Sequence, residues 1–421
     1  LFYRGDFLNN QINLTDTGLL NVNVTAVRNS MPVPEAKVRI YEADKLLEEL
    51  DTDSAGQTVT VELGAPPFEL SQEPSEIKPY SVYNVDIVAP GFERVFVDGV
   101  QILPRTTAIQ EVKMIPIPDT EDEETQLINI APNTLFGDFP PKIPEEEVKP
   151  LPDGRGFIVL SEPVIPEFMV VHLGVPNDAT AKNVWVPFKD YIANVACCEI
   201  YSTWTPETIK ANILAILSFA LNRVYTEWYR GKGFSFTITN STAYDQFYDH
   251  GRNLYRNIQR IVDEIFTTYI TRPGIRQPLF TQFCDGVRST CRGMSQWGSK
   301  QLGDSGLDAL SILRNFYGND IYLAQAAKVQ GVPMSYPGEP LRVGSEGLDV
   351  RLIQTQLNSI SNNYPMIPKL AVDGIYGPKT EESVRTFQQI FYLPLSGVVD
   401  FATWYQISNI YVAVTRLSEF G

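Results

Sequence analysis

The stretch Val195–Arg223, VACCEIYSTWTPETIKANILAILSFALNR, decides how the rest of this sequence is read. Thr205 suits an N-cap, Pro206 the first helical position and Glu207 the first turn, where free amides and the helix dipole favour them. Behind them Ile209, Ile213, Ile216, Leu217, Ala220 and Val224 recur at helical spacing, and Leu214 and Leu221 add a second apolar face. A helix this apolar on so much of its surface belongs at the centre of a domain. Directly before it stands Glu199, among Cys197, Cys198, Ile200 and Tyr201. Two readings of that carboxyl stay open: an ordinary carboxylate at the rim of a buried element, or a general acid kept protonated by apolar surroundings.

Working outward, 421 residues exceed one ordinary core, so about two to four domains are expected. A hydrophobic share of 43% with 20% charged residues is that of a soluble globular chain. The net charge of −16 argues against nucleic acid, because no basic surplus exists to neutralise phosphates. No apolar run reaches the roughly 20 residues of a membrane span, and Leu1–Leu20 lacks the order of a signal peptide. Four cysteines are too few for a disulfide scaffold. Adjacent Cys197 and Cys198 read as buried thiols, whereas Cys284 and Cys291 could form a local disulfide, hold a metal or do neither. With only His172 and His250, a three-histidine zinc site is impossible, and no metal or other cofactor is expected.

On the N-terminal side, after a polar lead-in over Leu1–Asn13, Leu20, Val22 and Val24 alternate with Asn21, Asn23 and Thr25. Strands are expected again at Val38 and Ile40, Thr58–Val61, Tyr83–Val88, Arg94–Val97 and Ile109–Met114, a pattern that predicts an all-β sandwich over 14–116. Residues 117–156 then turn acidic and proline-rich, which predicts a mobile linker exposed to proteolysis. Over 157–326, strands at Phe157–Leu160, Met169–Leu173, Val184–Pro187 and Phe234–Ile238 mix with helices, including Asn253–Thr271 and Ser305–Tyr317, which indicates α+β. A connector at 327–340 leads to a small helical unit at 341–412.

Three ordered blocks carry a family resemblance: DYIANVACCEIYSTWTPETIKANILAILSFALNR, DQFY at Asp245–Tyr248, and GMSQWGSKQLGDSG at Gly293–Gly306. Together they resemble the catalytic domain of stage II sporulation protein D, a peptidoglycan lytic transglycosylase. The segments VPEAKVRIYE, DTDSAGQ and VYNVDIVAPGFE are similar to transthyretin-like, carboxypeptidase regulatory-like modules. Near the C-terminus Asp373, Gly374, Gly377, Thr380, Phe387, Gln388, Gly397, Thr403 and Trp404 resemble the peptidoglycan-binding domain 1 family, a three-helix fold. The whole arrangement looks like that of spore cortex-lytic enzymes of the SleC type.

What the resemblance implies is an extracytoplasmic enzyme of the spore, at or outside the cortex, acting on peptidoglycan glycan strands during germination. Glu199 would protonate the oxygen between N-acetylmuramic acid and N-acetylglucosamine, then take the proton of the muramyl 6-hydroxyl as a 1,6-anhydro sugar closes. Tyr201, Tyr244, Asp245, Gln246, Tyr248, Ser295 and Gln296 would contact the sugar, since hydroxyls need donors and acceptors and flat CH faces pack on rings. Gly293 and Gly298 would let a loop approach the glycan, while Trp297 is better read as a core aromatic. Such enzymes are made as zymogens, so an activating protease is expected to cut at or just after the acidic stretch, where LPDGRGFIVLSEP overlaps its end. If Asp245 faced Glu199 across a cleft it could position water, making a muramidase. A non-catalytic wall-binding protein is a third possibility, and a zinc amidase ranks last.

Overall fold

The computed structural model describes residues 14–27, 30–117, 125–150 and 162–415. The polar lead-in, the strand expected at Phe157–Leu160 and most of the LPDGRGFIVLSEP stretch lie outside them.

Alternation at the N-terminus becomes strands β1 (Asp16–Ala26), β2 (Lys37–Glu42), β3 (Lys45–Asp51), β4 (Val61–Ala65), β5 (Ser81–Val88), β6 (Arg94–Ile102), β7 (Thr107–Met114) and β8 (Thr125–Asn129). They form two sheets. In one, β1 pairs antiparallel with β4 and parallel with β7; the other runs β3-β2-β5-β6-β8. Leu20, Val22 and Val24 share a solvent-free core with Val38, Ile40, Val85, Ile87, Val95 and Val97, so the two sheets enclose one core, and β8 extends the second sheet past residue 116. Asn21 and Asn23, expected on the solvent face, are also buried. They are covered by later parts of the chain: Arg256 donates to Asn21 Oδ1 at 2.8 Å and the Tyr392 hydroxyl to Asn23 Oδ1 at 2.6 Å.

The central part is assembled from β9 (Val164–Ile165), β10 (Phe168–His172), β11 (Asn183–Pro187), α1 (Phe188–Glu199), α2 (Pro206–Tyr225), β12 (Ile238–Thr239), β13 (Leu254–Tyr255), α3 (Arg256–Ile265), β14 (Thr268–Thr271), β15 (Phe283–Cys284), β16 (Met294–Ser295), α4 (Gln296–Asp304), α5 (Ala309–Tyr317), β17 (Tyr322–Gln325) and β18 (Lys328–Val329). As the caps predict, α2 starts at Thr205, whose side chain accepts from the Thr208 amide, with Pro206 at the first position. Ile209, Ile213, Leu214, Ile216, Leu217, Phe219 and Leu221 are all buried, each contributing about 1.5–3 kcal/mol of transfer energy.

Two helix expectations are corrected. Asn253–Thr271 is not one helix, because its ends are taken by sheets. Leu254–Tyr255 pairs with β7 of the sandwich, Asn253 binds Gln101, and Thr268–Thr271 pairs with β17. The β-branched, aromatic composition of Thr267–Thr271 suits that strand better than a helix. Ser305–Tyr317 shortens to α5, capped by Asp308, after α4 has closed through Gly306 at φ +90°.

The expected mobile linker is corrected most strongly. Residues 125–129 form β8, parallel to β6, and 130–150 run as an extended strap along the central domain. Its backbone polar groups are satisfied there: the Ile143 amide donates to the Ala243 carbonyl, the Phe280 amide to the Glu147 carbonyl, and Gln282 Nε2 to the Ile143 carbonyl. Few apolar residues are needed because polar pairing, rather than a core of its own, holds it.

At the C-terminus α6 (Leu348–Ile360), α7 (Pro378–Ile390) and α8 (Phe401–Thr415) enclose Val350, Ile353, Leu357, Val384, Phe387 and Trp404. The signature residues are structural. Gln354 and Gln388 are buried and tie the two Gly-containing turns, accepting from the Gly374 and Gly397 amides at 2.8 Å. This unit is docked on the rest, as Lys189 donates to Gln406 and Phe266 packs on Phe401 and Tyr405.

Candidate active site

Glu199 is the last residue of α1 and half-buried. Its two carboxylate oxygens are held by neutral donors: the Phe247 amide reaches Oε1 at 2.8 Å, and Gln296 Nε2 reaches Oε2 at 3.0 Å and the Glu199 carbonyl at 2.7 Å. The three sequence blocks thereby meet at one carboxylate. Gln296 is presented at the N-terminus of α4, where Ser295 caps the helix by accepting from the Gly298 amide. The loop carrying Phe247 is clamped by Asn194 of α1, which donates to the Asp249 carbonyl and accepts from its amide.

Asp245 is different. It is fully buried, with Oδ1 on Arg223 Nε at 2.7 Å and Oδ2 accepting from the Tyr229 hydroxyl at 2.6 Å, the Thr239 amide and the Thr239 hydroxyl. The muramidase alternative, which needed Asp245 to face Glu199 across a cleft, finds no support here: the carboxylate is sealed in, with both oxygens bonded to protein donors.

The remaining predicted sugar contacts are mostly supports. Gln246 is buried, accepting from the Tyr191 hydroxyl at 3.1 Å and donating to the Ile216 carbonyl at 3.1 Å. Tyr248 stacks on Tyr191 and bonds His250 at 2.8 Å. Tyr244 is half-buried and uses its carbonyl on Arg223. Tyr201 is 4% exposed, sits edge-on to Trp204 and Trp297, and accepts from the Leu135 amide. Trp297 is the core aromatic expected of it, donating its indole N–H to the Leu135 carbonyl at 2.7 Å. Gly293 is required by packing rather than by a ligand, since a Cβ there would lie 1.9 Å from the Gln282 carbonyl. Cys284 and Cys291 form a disulfide that closes the loop in front of β16, and Cys197 and Cys198 are buried free thiols, both pushed up by burial.

Four site residues escaped sequence reading: Phe247, which acts through its backbone, and Lys142, Glu145 and Arg223. Lys142 donates to the Asp245 carbonyl at 2.9 Å; burial pulls its ammonium below the ordinary value, against the opposing fields of Glu199 and Asp245. A lone Arg at the end of an otherwise apolar helix was the available signal for Arg223. Among the described residues, no three His, Cys, Asp or Glu side chains converge as a metal cluster, and no helix is long and apolar enough to cross a membrane.

Comparison with known proteins bears on the C-terminal unit. Residues 346–407 match the putative peptidoglycan binding domain. This match, which coincides with α6–α8 and their turns, supports peptidoglycan binding by the C-terminal module. No curated protein matches. Among solved structures, the N-terminal domain of SleB is similar at 26% identity over 18% of this chain and 99% of that one, with a TM-score of 0.16. The TIE protein of Bacillus anthracis is similar at 16% identity over 24% of this chain and 17% of that one, at a TM-score of 0.18. GBS52, the minor pilin of Streptococcus agalactiae, follows at 14% identity over 25% and 48%, at 0.19. At such TM-scores these likenesses do not bear on function.

Proposed function

We propose that the chain is a peptidoglycan lytic transglycosylase of the spore cortex, made as a zymogen and brought to its substrate by residues 346–407. The observation that carries this reading is the setting of Glu199: one half-buried carboxyl, oriented on both oxygens by neutral donors, at the meeting point of the three blocks that resemble the stage II sporulation protein D family. Neutral donors fix the direction of both oxygens without tying the group into an ion pair, which places it for proton transfer to a sugar oxygen.

The reaction needs a single proton carrier. Glu199 protonates the glycosidic oxygen as the C1–O bond breaks; the muramyl 6-hydroxyl oxygen attacks C1 and its proton returns to Glu199, leaving a 1,6-anhydro end with no water consumed. Binding of Asp245 to Arg223 supports this over hydrolysis, which usually employs a second carboxylate to activate water or attack the sugar. Latency is supported by the strap, which already uses Tyr201 and Trp297 and lays Lys142 within the field of Glu199.

Digesting purified cortex with the full chain and with chain trimmed between the strap and β9, then weighing the fragments, tests the whole proposal. Anhydro-terminated fragments from the trimmed form are expected. Fragments heavier by one water indicate a muramidase, and retention on the polymer without release leaves a wall-binding protein.

A further inference from the structure

Arg223 is an unusual residue to find at the end of α2. Its side chain is wholly buried, yet only Nε is used within the central domain's own ion pairing, on Asp245. The outer fork of the guanidinium is filled by the strap: Nη1 and Nη2 donate to the two oxygens of Glu145 at 2.8 and 2.7 Å. Lys149, also from the strap, donates to the same carboxylate at 2.6 Å and lies 3.7 Å from the Phe280 ring centre. Burial works to raise the Glu145 carboxyl, but the Arg223 and Lys149 bonds hold it below the ordinary value. Strap removal therefore takes away both Glu145 and Lys149, and leaves a cation bedded on Phe219, Trp228, Tyr229 and Phe280 whose fork has lost its carboxylate and keeps only the Tyr244 carbonyl, on Nη2 at 2.9 Å. A buried guanidinium left so is costly, and planar recognition of a carboxylate is what its geometry suits.

Arg223 also borders a cavity of about 350 Å³ lined by Phe168, Trp185, Trp228, Tyr229 and Phe236. Trp185 is 68% exposed, so the cavity opens to solvent, and its rings could cover the flat faces of a sugar or peptide. We propose that Arg223 is a carboxylate-recognition subsite, occupied in the full chain by Glu145 as an internal surrogate and, once the strap is gone, by a free carboxylate of the peptide stem on the wall glycan. The choice of ligand rests on the peptidoglycan reading above; the socket itself rests on Arg223.

The full-length E145A variant opens the socket without touching Arg223. Its thermal midpoint should fall by several degrees and be regained with propionate but not with propionamide. N-acetylmuramyl-L-alanyl-D-glutamate should quench or shift its tryptophan fluorescence and bind roughly tenfold more tightly than the doubly amidated analogue, while wild type binds neither. E145A/K149M should keep this binding. Equal indifference to propionate and propionamide overturns the socket, as does loss of binding in E145A/K149M, which would assign it to Lys149. Propionate recovery without preference for the acidic muropeptide overturns the stem-peptide assignment. Should E145A not fold, E145S, which also vacates the fork, is read the same way. A variant that binds the acid, from a protein whose trimmed form releases nothing from cortex, defeats the enzymatic reading and leaves the socket standing.

Discussion

The neighbourhoods of Glu199 and Asp245 flank one loop, yet they are built on opposite principles. Glu199 is half-buried and touched by an amide N–H and a carboxamide. Two residues before Phe247, Asp245 is sealed in with a guanidinium, a phenol and a threonine. The difference separates two uses of a carboxylate: one paired with a fixed, buried cation serves the fold, whereas one at a half-buried position held only by neutral donors is oriented without an ion pair.

The sharpest way to break that contrast is E199Q. If Glu199 is the proton carrier, fragment release from cortex falls by about 10²–10⁴-fold with the melting midpoint nearly unchanged; residual activity near wild type would falsify the assignment. D245A should do the reverse, costing about 3–5 kcal/mol in denaturant melts because Arg223 keeps its charge and loses its innermost partner. An unchanged stability would mean that Asp245 is spare and open to a catalytic role. A smaller effect is expected from C284S/C291S. Opening a loop with a sequence separation of 7 should cost about 2 kcal/mol and weaken the Glu199 side, since Asp285 next door receives the Ser295 hydroxyl ahead of Gln296. Cortex digestion should therefore suffer while the Arg223 network keeps its protection in hydrogen exchange.

The gentlest probe is pH. The Glu145 carboxyl is depressed in the folded chain, so its contribution is complete above the unfolded value of about 4.5 and is lost as pH falls through the lower folded value. Proteolytic protection of the strap should accordingly be flat from neutrality to roughly pH 5 and fail only well below 4.5. Failure already near neutrality would show that Glu145 does not latch it.

Elements whose instructions are local were legible in the residues. Thr205-Pro206 starts α2, the alternating residues of β1 form a strand, although its polar positions are covered as well, and the turns at Gly374 and Gly397 place those glycines at positive φ. The same holds for the site in part. Glu199 and Gln296 were both singled out, and the contact between them joins residues 97 positions apart. Phe247 could not be found, because a backbone amide acts there and any side chain would do.

Chain composition by itself determined the periodic elements, the peptidoglycan-binding signature and the candidacy of Glu199, because each depends on spacing along one segment. Tertiary structure alone decided that Asp245 is neutralised, that Asn253–Thr271 is split between two sheets, and that an acidic, proline-rich stretch lies bound on the central domain. In each case the deciding partner, Arg223, β7 or the Phe280–Gln282 segment, is distant in sequence, and electrostatic pairing or hydrogen bonding with it outweighs a local preference worth only tenths of a kilocalorie per residue.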